Sequence, residues 1–364
     1  MDARDAIERL CEFEDRAACT DAERRAAAWL HDRLRADGHE AWVETRWVRP
    51  QRWATVVLAA ATAAGGSLVS VAVPVAGAAA AGAAAVVLAF EAFGRVSPVR
   101  MLFARRATQH VLTEAAGSGV AEARDVTLII AAAYDAPRRG AIFAARWRRL
   151  ARTVRSPLGW LAGCAALVTA AAGARAAGVD ATWLGIAQLL PTAVLIVAVA
   201  AAIDVALSPA SPGANESASA AALALALHAA LVRDPPARVA PALLLHGAAS
   251  AAPEALRRHL RGERLDPRAA VVLAVRPCGA GTPAWASRHP QLRALDVRAS
   301  GPRPTPPAAT GSLPALALGC LDERGVVPRA HQADDLPEHV DDAALAGALA
   351  LALDLVDALD ATLA

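Results

Sequence analysis

The stretch Ser211-Pro212-Gly213-Ala214-Asn215-Glu216-Ser217-Ala218-Ser219 decides how the chain is read. It lies between a long apolar run and an Ala/Leu-rich segment of helical spacing. Gly213 and Asn215 tolerate the tight backbone turn that such a junction needs. Ser217 or Ser219 can cap the helix that follows. Glu216 is then held at a helix N-terminus, where a carboxylate is favoured and can be aimed at something. Alone, the segment reads as a loop and a helix cap; its surroundings give it more meaning.

Outward from it, strand-like and helix-like runs alternate. Val126 to Ala133 is an unbroken apolar run of strand length, ending in Tyr134-Asp135. Ser219 to Val232 predicts a helix, Val239 to His246 a buried strand, and Glu254 to Arg261 a helix. Ala270 to Val275 and Leu313 to Leu318 predict two more strands, and Asp341 to Leu363 a long final helix. Near the start, Thr20 to Ala36 carries Ala27, Leu30 and Leu34 on one face. Thr20 and Glu23 fit a capping box there, and Gly38 is the stop. Ala41 to Val48 alternates as a strand does. Apolar strands between helices predict an α/β fold, a mixed, mainly parallel sheet sandwiched by helices.

Two stretches break this pattern. Trp53 to Phe90 has no charged residue, and Pro157 to Ile203 has only Arg175 and Asp180, around Gly178. Each is too long for one span of about 20 residues and suits two short ones. The first breaks between Gly65 and Pro74. Buried Ala-rich core hairpins are the competing reading; length and lack of charge favour transmembrane hairpins. Arg46, Arg49 and Arg52 precede the first pair, and Arg95, Arg100, Arg105 and Arg106 follow it. Arg146, Arg148, Arg149, Arg152 and Arg155 precede the second. Trp53, Trp160 and Trp183 lie near span ends, as interface anchors do. The positive-inside rule then places the polar bulk of the chain in the cytoplasm and the hairpins in the cell membrane, with the lipid bilayer as partner. The expected layout is one α/β domain in three pieces, 1–52, 95–155 and 208–364, with hairpins inserted at 53–94 and 156–207.

The 37 basic and 35 acidic residues give a net charge of +2, which points to no nucleic-acid partner. Every strong base is Arg. Cys11, Cys19, Cys164, Cys278 and Cys320 form no CxxC pair and read as free thiols. Met1 to Arg16 is charged throughout and does not read as a signal peptide.

Four segments, in order, resemble the cocatalytic di-zinc aminopeptidases of clan MH, which include glutaminyl cyclases. Ile129 to Pro137 (IIAAAYDAP) resembles a strand ending in His-Tyr-Asp-Ser, and Pro212 to Ala221 (PGANESASAA) resembles Pro-Gly-Ala-Asn-Asp-Asn-Ala-Ser-Gly. Ala242 to Ser250 (ALLLHGAAS) stands where the family has a strand leading to Glu-Glu, and His331 to Asp341 (HQADDLPEHVD) resembles its late His segment.

The resemblance implies two zinc ions held by a His, a bridging Asp, a Glu, an Asp and a second His. It also implies a further Glu as general base for the water that the two metals activate. Residue by residue, that set is degenerate here. Ala133 takes the first His position, while Asp135, the partner that would orient that His, is kept. Glu216 takes the bridging Asp position. Ala249 and Ser250 replace Glu-Glu and can neither ligate nor act as a base. Arg276 falls at the later Asp position, and His331 is kept. Asp135, Glu216, Arg276 and His331 are thus the vestigial site, in which Arg276 either pairs with Glu216 or Asp135 in place of the metal or faces solvent. A remodelled single-zinc site would draw on Glu216, His331 and His246, with Glu254; otherwise no cofactor is expected. Three functions follow: a non-catalytic protein binding a peptide or protein partner in the cleft, a membrane-bound metallopeptidase with a shifted metal site, or, least supported because only Asp204 lies near a span, a membrane protein whose helices serve assembly or transport. The remaining histidines read as structural or solvated, and Asp334, Asp335, Asp341 and Asp342 as turn and cap residues.

Overall fold

The computed structural model describes residues 2–113, 124–144, 156–179, 181–263, 265–305, 310 and 312–363. Arg146, Arg148, Arg149, Arg152, Arg155 and Asp180 lie outside the described residues. The chain divides into two compact units. One comprises Met1–Val48, Arg106–Arg139 and Pro209–Ala364; the other comprises Arg49–Arg105 and Gly140–Ser208.

The first unit opens with α1 (Ala3–Cys11), α2 (Asp21–Ala36) and β1 (Ala41–Val48). It continues with β2 (Arg106–Thr113) and β3 (Val126–Ala133). The helices Arg52–Val69, Pro74–Ala92, Pro157–Ala176 and Thr182–Leu207 are α3 to α6, and all four belong to the second unit. After them come α7 (Ser219–Arg233), β4 (Val239–His246), α8 (Glu254–Gly262), β5 (Ala270–Val275), β6 (Thr282–Ser287), β7 (Ala315–Leu321) and α9 (Asp342–Thr362).

The seven strands form one sheet in the order β1-β2-β4-β3-β5-β7-β6. The four central strands, β4, β3, β5 and β7, run parallel, and β2 and β6 run against them. Strand alternation explains both covers. Leu128, Ile130 and Ala132 of β3 face a core shared with α1, α2, α7 and α9. Ile129 and Ala131 face the opposite core, which Leu256 and Leu260 of α8 complete. Each Leu or Ile so buried contributes about 1.5–3 kcal/mol. The fold is therefore the expected α/β sandwich, with the carboxyl ends of β3, β4 and β5 at one edge.

Three local expectations are corrected. The strand placed at Leu313 to Leu318 begins at Ala315 and runs to Leu321, because Leu313 precedes Pro314 outside the ladder. Strands β2 and β6 were not anticipated; their polar residues broke the apolar signal. The capping box is half formed. Thr20 Oγ1 accepts from Glu23 N at 3.2 Å, but the Glu23 carboxylate turns inward instead of to Thr20 N.

In the second unit, α3 to α6 pack around small residues such as Ala60, Ala63, Ala81, Ala84 and Ala165. Gly66 and Gly77 allow the closest approach of α3 and α4: a Cβ on Gly77 would lie 2.4 Å from Ser70 Cβ. Glu91 and Arg100, both buried, pair at 3.2 Å. Many large apolar side chains point outward, among them Trp160, Trp183, Ile186, Leu189, Leu190 and Val197. Among the described residues, five helices are long and apolar enough to cross a membrane: α3 to α6 and the Ala214–Arg233 segment. That last segment, ending in α7, is instead buried in the sheet unit.

Candidate functional site

The edge of the sheet where β3, β4 and β5 end gathers the four predicted segments. Gly213 adopts φ +71°, which supplies the tight turn, and Ala214–Ala218 then winds as one wide turn into α7. Neither Ser217 nor Ser219 caps this start. Their hydroxyls donate back to Gly213 O and Asn215 O. The cap comes from far along the chain: the Asp335 carboxylate accepts from Asn215 N at 2.8 Å and Glu216 N at 3.1 Å. Burial, opposed by those two donors, pushes the Asp335 pKa up to about 7.

Glu216 and His331 are brought together. Glu216 Oε2 accepts from His331 N at 2.7 Å, and His331 Nε2 lies 3.3 Å from Glu216 Oε1. His331 holds this pose with φ +58°. Its Nδ1 lies 2.8 Å from Arg138 O, an atom that only accepts, so Nδ1 carries a proton. A second proton then belongs between Nε2 and Oε1. Burial raises the Glu216 pKa and His331 opposes that rise.

Asp135 is 2% exposed, yet its partner is the loop after β4. It accepts from Ala249 N at 2.8 Å, Ser250 N at 3.1 Å and Ser250 Oγ at 2.7 Å. Burial raises its pKa against these three donors.

Arg276 is exposed at the end of β5, near enough that its charge and that of Glu216 favour each other's ionised form, while the direct contact on Glu216 is made by His331. The buried cation is Arg16, 1% exposed, on the link between α1 and α2. Arg16 Nε donates to Tyr134 O at 2.6 Å, and its Nη2 donates to Ser217 Oγ at 3.3 Å and Pro212 O at 3.5 Å. Its Nη1 donates to Leu10 O. One guanidinium thus ties the end of β3 to the turn before α7.

No protein-family model matches the chain, and no curated protein matches it. Solved structures do. Glutaminyl cyclase from Bacteroides thetaiotaomicron, bound to N-acetylhistamine, aligns over 98% of this chain and 96% of its own at a TM-score of 0.54 and 10% identity. A Zn-dependent exopeptidase from Parabacteroides distasonis aligns over 97% of this chain and 96% of its own, at a TM-score of 0.52 and 9% identity. LapB from Legionella pneumophila gives 0.51 and 9% identity, over 98% of this chain and 71% of its own. The fold is zinc-exopeptidase-like.

Within this exopeptidase-like fold, two residues that sequence reading missed complete the site. Glu23 Oε1 accepts from Ala248 N at 2.6 Å and Thr108 Oγ1 at 2.8 Å, and Oε2 from Cys19 N at 2.7 Å. It pins the loop that carries Ala249 and Ser250, and burial pushes its pKa up to about 8. Asp335 is the other: it is a cap, as its sequence context suggests, but of the distant turn that carries Glu216. His246, placed with Glu216 and His331 in the remodelled-site reading, lies elsewhere. Its ring stands 6.2 Å from that of His110, on the face covered by α8. Burial pushes His246 down to about 3 and His110 down to about 4. Among the described residues, the one set of three ligand atoms within 4.8 Å of one another is Glu44, His259 and Glu263, not the predicted set.

Proposed function

We propose that the chain is a membrane-anchored, zinc-exopeptidase-like protein that binds a peptide or protein partner without cleaving it. One observation carries this reading: the carboxylates at the strand ends are engaged by the protein itself. Asp135 accepts from the Ala249–Ser250 loop, Asp335 from Asn215 and Glu216, and Glu216 from His331. Ala133, Ala249, Ser250 and Arg276 add no ligand or base. The residues present therefore do not fit a zinc centre, which needs at least three converging protein donors. The apolar outer faces of α3 to α6 and their Arg-rich flanks support anchoring, with the sheet unit on the cytoplasmic side.

The test is elemental analysis of the detergent-purified chain and its His331→Ala variant, with aminoacyl-peptide hydrolysis assayed alongside. The expected result is that His331→Ala changes neither metal content nor turnover. Zinc near one equivalent that disappears in His331→Ala, together with hydrolysis that disappears with it, would replace this reading by the metallopeptidase one.

A further inference from the structure

On the sheet face covered by α8, away from the vestigial site, polar side chains form a row across three strands. Glu44 of β1 pairs in register with His110 of β2, and His110 pairs with His246 of β4. Direct partners share a face, so the row crosses the sheet side by side. Strand alternation brings Arg46 to the same face as Glu44. From α8, His259 and Glu263 are four residues apart and so present their side chains together.

These groups converge on a single atom. Arg46 Nη2 lies 2.6 Å from Glu44 Oε1, 2.7 Å from His259 Nδ1 and 3.9 Å from Glu263 Oε1. His259 Nδ1 is also 3.1 Å from Glu44 Oε2 and 3.9 Å from Glu263 Oε1. Two carboxylates and an imidazole lone pair around one cationic nitrogen make the donor set of a divalent ion. In a tetrahedral site with bonds near 2.1 Å, ligand atoms are separated by about 3.4 Å. The Glu44–His259 edge is already of that length, and Glu263, whose side chain is 48% exposed, has room to close the other.

A second, independent observation points the same way. His110 is fully buried, and neither of its ring nitrogens has a side-chain hydrogen-bond partner. Its ring stands edge-on to that of His259, with centroids 5.5 Å apart. A pocket of about 250 Å³, lined by Thr45, Arg46, Trp47, Val48, Ala255 and Arg258, reaches the cluster at Arg46. The Arg46 side chain is 32% exposed, and it is the group that can swing out. The carboxyl end of α8, where Glu263 is the cap, adds the negative end of a helix dipole.

We propose that Glu44, His259 and Glu263, backed by His110, form a binding site for a divalent transition metal of the zinc class, closed by Arg46 when no metal is bound. The mixture of imidazole and carboxylate suits zinc, cobalt or nickel better than calcium or magnesium. The ion would bridge the edge strand β1 to α8.

The experiment uses the full chain in detergent, stripped with a chelator and titrated with Co²⁺ by its visible absorption, then with Zn²⁺ as competitor. Glu263→Gln, on a half-exposed side chain that leaves the fold intact, and His259→Gln are each expected to weaken binding at least about tenfold. Arg46→Met, which removes the competing cation, is expected to tighten it about tenfold. His331→Ala is expected to leave it unchanged, so this site and the strand-end centre are read on different variants. Binding lost in His331→Ala but kept in Glu263→Gln would overturn the proposal. So would binding in Arg46→Met no tighter than in the unaltered chain.

Discussion

Asp335→Asn sets two forces of opposite sign against each other. The carboxylate caps Asn215 N and Glu216 N at a helix start, an arrangement that favours a negative charge. Burial disfavours the same charge, and it dominates: the pKa rises from 3.8 to about 7. That rise corresponds to about 4 kcal/mol between the two protonation states. The unfolded chain titrates near 3.8 and the folded one near 7, so the folded state binds the extra proton in between. This group's contribution to stability is therefore complete below about pH 4, falls as pH rises towards 7, and levels off above it. Asn cannot ionise. It keeps one carbonyl acceptor for one of the two N–H groups and forfeits about 1 kcal/mol of hydrogen bonding. Below about pH 4 the variant should be the less stable by that amount, and at pH 8 the more stable by about 3 kcal/mol. For a domain of this size, that is a Tm increase of roughly 6–12 °C. Tryptophan fluorescence melts of the full chain between pH 3.5 and 8.5 would follow it, since Trp29, Trp42, Trp47 and Trp285 report on the sheet unit. The expected pattern is a wild-type Tm that drops with pH and a flatter variant curve that crosses it. A variant that loses more stability at pH 8 than at pH 5 would refute the reasoning and make the ionised cap the stronger force.

Two further perturbations separate the units. Arg16→Met strands the acceptors at Leu10, Tyr134, Pro212 and Ser217 and should cost about 3–5 kcal/mol, with faster hydrogen exchange over residues 212–219; a loss under about 1 kcal/mol would demote Arg16 to a bystander. Gly77→Ala gains about 1 kcal/mol of helix propensity but drives a methyl to 2.4 Å from Ser70 Cβ and 2.6 Å from Gly66 O, so the hairpin must part and its melting temperature in detergent should fall. An unchanged or higher value would show that α3 and α4 do not depend on that crossing.

The interior of the sheet was legible in the sequence because β3, β4 and β5 are apolar on both faces, and runs of that kind have few other uses. Strand β2 was not, since its polar residues serve distant partners: Thr108 donates to Glu23, and His110 stands in the row under α8. The same limit governs the site. Glu216 and Asp135 could be placed because each sits inside a local motif. Arg16 and Asp335 could not, because each acts on residues more than 100 positions away. Glu23 was hidden by a local explanation that was half true. Its spacing from Thr20 fits a capping box, and nothing local reveals that its carboxylate instead holds Ala248. Arg276 was left between two poses for the converse reason: motif order put a cation at a strand end, but only packing decides whether it points in or out.

Each insert in the sheet unit is clasped at its base. In the first, Arg52 Nη2 donates to Glu91 O at 3.1 Å, and the Glu91–Arg100 pair lies just beyond. In the second, Ala141 N donates to Asp204 Oδ2 at 2.6 Å. The chain leaves each insert close to where it entered. For assembly of the sheet this changes the effective length of the chain. β1 and β2 are separated by an insert that, as free coil, would make their pairing a costly loop closure. Once the helices of an insert have paired, its ends are already together, and the strands on either side meet as if joined by a short turn. The inserts would then act as folding staples: completed first during synthesis, they would convert a sheet of distant pairings, Val126 with Val239 among them, into one of nearly local ones.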